Sequence, residues 1–162
     1  MKHYCQLWSF SALFLLVSFT ACKKDSSSGT STNSSTATVS GAAFQSTVAA
    51  GVDFTSQNNL TVEFFQIKGH DSTNITISFP DTLQANKAYT IGGTNTLVSL
   101  QYETPQDWYS TWDGQASGSL TLTSFNKNGH NVQGIYNAIA WKAGGDSVII
   151  KDGKFNTNYL VR

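Results

Sequence analysis

Cysteine is nearly absent from this chain. Of its 162 residues only Cys5 and Cys22 carry a thiol, and both fall ahead of the main body. The body therefore has no disulfide and no thiolate metal site to hold it, and must rely on its core. Proline occurs only at Pro80 and Pro105. Charge is sparse as well: 10 basic residues face 10 acidic ones, 12 % of residues in all, with no basic run or stripe. A nucleic-acid partner is not expected from such a chain. The longest apolar run, residues 10–19, has about ten residues where a spanning helix needs about 20, so no transmembrane helix is expected. No Gly-x-Ser-x-Gly, His-Glu-x-x-His, phosphate-loop or dinucleotide fingerprint occurs, which removes the commonest catalytic and cofactor signatures. No cofactor is expected.

The N-terminus has a plain pattern of its own. Lys2 and His3 precede the apolar run, and the small residues Thr20 and Ala21 stand directly ahead of Cys22. A positive start, a short apolar stretch and small residues at the junction predict a secretory signal over residues 1–21. With cysteine at the first mature position, the segment resembles a bacterial lipoprotein signal. That resemblance implies acylation of the Cys22 thiol. One buried acyl chain binds marginally, whereas two or more hold a protein stably, at roughly 0.8 kcal/mol per methylene. Residues 25–38 are almost wholly Ser, Thr, Gly, Ala and Asn, with no large apolar side chain. Such a stretch buries too little to offset its ordering entropy and is expected to be a disordered tether over 22–38. A linker of about 14 residues of this kind spans on the order of 20 Å. Loss of the signal leaves nine basic and ten acidic residues, a net charge of −1.

From residue 39 to 162 the period is two. Leu60, Val62 and Phe64 alternate with Thr61 and Glu63, and Ile75, Ile77 and Phe79 alternate with Thr76 and Ser78. Val98, Leu100 and Tyr102 do the same, as do Leu120 and Leu122. Each is the signature of a half-buried strand. Phe65 and Ile67 fall on the opposite register from Phe64, which predicts either a bulge or burial on both faces. Asn126-Lys127-Asn128-Gly129 predicts a hairpin, with Asn-Gly supplying positive φ. Ala143-Gly144-Gly145-Asp146 predicts the next reversal, and Asp152-Gly153 a bulge or turn. The fold class is all-β: a single domain, an antiparallel meander forming a β-sandwich or a flattened β-barrel.

Several of these segments carry a resemblance. Cys22-Lys23-Lys24-Asp25 before the Ser-rich stretch, Ser40-Gly41-Ala42-Ala43-Phe44, Gly118–Thr123, Val132–Tyr136 and Val148–Phe155 are together similar to small uncharacterised Bacteroidota-type lipoproteins with a C-terminal all-β domain. The resemblance implies a lipid-anchored cell-envelope protein at the outer membrane, on its periplasmic face or at the cell surface. It implies no activity, because that family has none established. Asp71-Ser72-Thr73, Asp81-Thr82-Leu83 and Asp146-Ser147-Val148 resemble O-glycosylation acceptors, a pattern that chance supplies easily in a chain this rich in Ser and Thr.

The richest aromatic patch is Trp108, Tyr109 and Trp112, flanked by Asp107 and Asp113 after the break at Pro105. Indole faces stack on sugar rings, and carboxylates beside them accept hydroxyl hydrogen bonds, so these five residues are the candidate ligand site. The competing reading makes the rings a plug for the open end of the sheet. Asp107 and Asp113 are also the one acid pair close enough to consider for glycoside hydrolysis, yet acids beside turns usually serve local hydrogen bonds. His70 and His130, each in an expected turn, give no spacing for a three-ligand zinc site. No metal is expected.

Three functions follow in order. First stands a non-catalytic binding or accessory lipoprotein that meets a glycan, a small apolar ligand or an envelope protein. Second is a barrel carrying an apolar molecule, with Val98, Leu100, Tyr102, Leu120, Leu122, Tyr136 and Ile149 lining the interior. Third is an envelope glycoside hydrolase; the expectation is that the protein is not an enzyme.

Overall fold

A computed structural model describes residues 33–93, 96–112 and 115–162. The expected signal, the expected acylation site Cys22, most of the expected tether, and Asp113 lie outside the described residues.

Alternating burial builds twelve strands. They are β1 (Ser34–Val39), β2 (Ala42–Gln45), β3 (Val48–Phe54), β4 (Asn59–Lys68), β5 (Asp71–Pro80), β6 (Ala88–Thr90), β7 (Ser99–Glu103), β8 (Trp108–Ser110), β9 (Ser117–Asn126), β10 (Asn131–Trp141), β11 (Ser147–Asn158) and β12 (Leu160–Val161). The only helical element among the described residues is one 3-10 turn, Thr55–Gln57. The strands pair in the order β12-β3-β4-β5-β7-β8-β10-β11-β1-β2, with β9 on β10 and β6 on β9. All pairings between strands are antiparallel except the short β12–β3 pair.

The path folds into two layers. One holds β3, β4, β5, β7 and β8; the other holds β6, β9, β10, β11, β1 and β2. They join at the register pair Ser110 with Trp141, at the parallel bridge between Ile91, after β6, and Val98, before β7, and again where β11 runs on into β12 beside β3. Rings meet across the gap: Phe64 of β4 lies 5.5 Å from Phe155 of β11, and Phe79 of β5 lies 6.4 Å from Phe125 of β9. The ends of the path, β12 and β2, do not pair with each other, so the sheet is a sandwich and not a closed barrel.

Four expectations need correction. Residues 34–38, assigned to the tether, form most of β1, with Ser35, Ala37 and Val39 buried. Small side chains suffice there because β1 is sandwiched between β2 and β11, whose Phe44 and Phe155 supply the bulk. β4 pairs with β5 in unbroken register from Asn59 to Lys68, so Phe65 and Ile67 mark no bulge. They lie on the outer face, where Phe65 is half-buried and Ile67 exposed. In the β9–β10 hairpin the positive φ falls on His130 (49°) and not on Gly129; the Asn126 side chain instead accepts from the Gly129 N–H at 2.9 Å. Ile149 points outward and is 43 % exposed, while Val148 and Ile150 face the core. The three-residue apolar run at 148–150 has no alternation to say which face is inside. Tyr102, in contrast, keeps the expected inward register and is half-buried against the core.

Two backbone features keep the register. Ser40 (φ 46°) and Gly41 (φ 88°) form a two-residue reversal between β1 and β2, and the paired positive φ values match the twist of the flanking strands. Asp152 (φ 54°) is the extra residue of a β-bulge in β11, and the pairing with both β10 and β1 shifts there. The core side of β11 accordingly passes from even positions (148, 150) to odd ones (153, 155, 157). Gly153 follows the bulge because the Tyr136 ring lies against it; a Cβ there would fall 2.6 Å from ring carbons.

Candidate functional site

The Thr104–Asp107 turn delivers β8 to the edge of the first layer. Thr104 donates its N–H to the Asp107 carbonyl at 2.8 Å, and its hydroxyl accepts from the N–H groups of Asp107 and Gln106. Pro105 fits a turn position where no donor is used. β8 then pairs with β7 through Glu103–Trp108, Tyr102–Tyr109 and Gln101–Ser110.

Parity decides what each β8 side chain does. Tyr102 shares the core register of Leu100, so its cross-strand partner Tyr109 also turns inward, their rings 5.9 Å apart. Trp108, Ser110 and Trp112 take the opposite register and face outward. Four residues apart on a straight strand, the two indoles would stand about 13 Å apart. The chain bends at Thr111, whose N–H and hydroxyl both bond to Leu100, and the indole centroids come to 6.1 Å at an interplanar angle of 73°. Ser110, between them, is left only 5 % exposed although it faces out. The indoles themselves remain wet: Trp108 is 46 % and Trp112 is 62 % exposed. They therefore do not plug the end of the sheet; of the three rings only Tyr109 packs on the core.

The acids fare differently. Asp107 Oδ1 accepts from Lys142 Nζ at 3.1 Å, and Lys142 also bonds to Asp146 at 3.0 Å. These bonds, Asp146's first and Asp107's next, hold the Lys142 ammonium above its ordinary pKa. The same ammonium lies 5.8 Å from the Tyr109 ring centroid. Asp107 is thus tied into an ion pair at the rim of the indole corner. Its proposed catalytic partner, Asp113, lies outside the described residues.

One residue of the corner is absent from the sequence-level candidates. Trp141, directly opposite Ser110 across the β8–β10 junction, faces the same outer side and is half-buried. Its indole N–H is buried and has no acceptor among the described residues. Only the pairing of strands thirty residues apart brings it here, and no local pattern announces that pairing.

His70 is exposed in the two-residue loop between β4 and β5. His130 lies against Tyr159, ring centroids 5.6 Å apart. Neither joins a group of three or more metal-ligating side chains among the described residues. A surface groove of about 580 Å³ lies elsewhere, on the outer face of β9, β10 and β11 around Ser119, Asn137, Ile139 and Ile149. No aromatic side chain lines it, and Asp152 of the bulge is one of its lining residues. Shape alone favours that groove; ring chemistry favours the corner, and stacking is the more specific signal.

Comparison with known proteins gives no match to any family model, curated protein or solved structure.

Proposed function

We propose that the protein is a non-catalytic, lipid-anchored envelope protein whose β-sandwich binds glycans at the Trp108–Trp112 corner. The observation that carries this is the pair of indoles held 6.1 Å apart in solvent by a bend that buries Thr111 completely. Large exposed rings are costly to leave wet, and here the backbone is bonded so as to keep them there. A sugar presents an apolar C–H face to each indole, and Gln101 and Glu103, opposite Ser110 and Trp108 on the same outer face, add hydrogen-bonding groups beside them. The ring contacts between layers at Phe64–Phe155 and Phe79–Phe125 favour this surface over an internal carrier cavity. Acylation at Cys22, the seat of the anchor, would hold the sandwich near the bilayer by the short stretch ahead of β1.

A glycan array probed with wild type, Trp108→Ala and Trp112→Ala tests the site. Each substitution should weaken binding about tenfold, the equivalent of about 1.4 kcal/mol. Both residues are exposed enough that stability should change by no more than about 0.5 kcal/mol. Unaltered binding in both variants, or no glycan bound by wild type, would remove the corner from consideration. Labelling with an acyl probe tests the anchor separately: label on wild type and none on Cys22→Ser is expected.

A further inference from the structure

The indole corner continues into a face. Register places Phe65, Asn74, Glu103 and Trp108 in one row across β4, β5, β7 and β8. The neighbouring row runs Glu63, Thr76, Gln101, Ser110 and Trp141. All of these alternate with core residues such as Phe64, Ile75 and Leu100, so both rows look outward.

The charge on this face has one sign. Glu63 and Glu103 are the only glutamates in the chain, and both stand here. Among the described residues neither has an ion-pair partner, and no Lys or Arg occupies an outward position of β3, β4, β5, β7 or β8. Lys142, the nearest cation to the corner, is already bonded to two carboxylates. Glu103 is the direct cross-strand neighbour of Trp108, with backbones about 5 Å apart. Glu63 is two strands and one row away, about 12 Å from Glu103. Between them lie the neutral hydrogen-bonding side chains of Asn74, Thr76 and Gln101, and the Asn74 side-chain oxygen is buried without a donor among the described residues.

An anionic face ending in two wet indoles disfavours a uronate or sulfated glycan and complements a cation. We propose that its ligand is an oligosaccharide bearing protonated amines, with Trp108 and Trp112 stacked on sugar faces and Glu103 and Glu63 receiving ammonium groups. The proposal rests on the glycan-binding reading and narrows it to amino sugars. Cation–π attraction at the indoles adds to the ion pairing. The intervening amide and hydroxyl groups favour a sugar backbone over a basic peptide.

Titration calorimetry of the full chain in detergent micelles, in mildly acidic buffer, compares three probes: a β-1,4-linked glucosamine tetramer, its fully N-acetylated counterpart, and tetralysine. The glucosamine tetramer should bind about fivefold or more tighter than the acetylated one at low salt, the scale of one exposed cation–π or ion-pair contact. That advantage should fall most in Glu103→Gln and vanish in 1 M salt, where the screening length is about 3 Å. Glu63→Gln should reduce it in part, and the near-isosteric change at either site leaves the fold intact. Equal or tighter binding of the acetylated tetramer overturns the inference while Trp108-dependent binding of that probe keeps the glycan reading standing. Loss of binding to both tetramers removes both. Tetralysine binding as tightly as the glucosamine tetramer overturns the sugar assignment in favour of a basic peptide.

Discussion

The hydroxyls of Tyr136 and Ser35 meet at 2.9 Å in the core, joining β10 to the strand that begins the sandwich. Tyr136 is 3 % and Ser35 is 1 % exposed. Tyr136→Phe removes one hydroxyl and strands the other, which should cost about 1–3 kcal/mol: a lost hydrogen bond and an unsatisfied buried group. Ser35→Ala should cost a similar amount, for the mirror reason. The double variant leaves no orphan, so the pair should cost less than the sum of the singles by about 0.5–1.5 kcal/mol. Urea unfolding of the four proteins measures that coupling directly. Alkaline titration gives a second, independent reading. Burial pushes the Tyr136 phenol up to about 12, partly opposed by the Ser35 hydrogen bond. A folded-state pKa above the unfolded value of 10.0 means that the folded protein holds this proton more tightly. That stabilisation is fully present below pH 10.0 and is lost as pH rises through about 12. Tyr136→Phe lacks this dependence, so the stabilities of wild type and variant should change differently with pH over that window. Additive singles, within about 0.3 kcal/mol, would refute the reasoning. β1 would then not be seated on β10 and β11, and the domain would start later in the chain.

Asp53 and Gly153 supply further tests. Asp53 is 6 % exposed with one carboxylate oxygen unpartnered among the described residues, and burial first, then the charge of Asp81, raises its pKa. The raised value makes the ionised form a liability: stability is highest below the unfolded pKa and falls as pH rises through the folded one. Asp53→Asn should therefore raise the melting temperature at pH 7, and the gain should disappear near pH 3; a gain that persists there contradicts the assignment. Gly153→Ala drives a Cβ to within 2.6 Å of the Tyr136 ring and should cost about 1–3 kcal/mol by overpacking. A shift in urea midpoint equivalent to less than about 0.5 kcal/mol would show that the ring moves freely aside.

The strand pattern was open to reading wherever apolar and polar residues alternate strictly. Leu60–Phe64, Ile75–Phe79 and Leu120–Leu122 have every expected inward residue buried. Local turn chemistry was legible too, at Asn126–Gly129 and Gly144-Gly145, although the left-handed residue of the first proved to be His130. Legibility fails where stability comes from distant partners. β1 has the composition of a disordered tether and is a strand because Phe44 and Phe155 cover it from β2 and β11. Ile149 could not be assigned a face from a run of three apolar residues, and the bulge at Asp152 reverses parity just beyond it. At the site, Trp108, Tyr109 and Trp112 were found from clustering alone. The inward turn of Tyr109, the approach of the indoles and the arrival of Trp141 all depend on non-local pairing of β8 with β7 and β10. The pairing of Asp107 with Lys142 spans 35 residues and is equally invisible to a local pattern.

Indole N–H resonances report on the corner one ring at a time. Titrating the ¹⁵N-labelled protein with the glycan that binds best on the array should shift the Trp108 and Trp112 signals together with the backbone amides of Glu103 and Ser110. Amides around Ile139 and Ile149, on the opposite layer, should stay in place. Shifts confined to that second set, with both indole signals unmoved at saturation, would contradict the placement of the site.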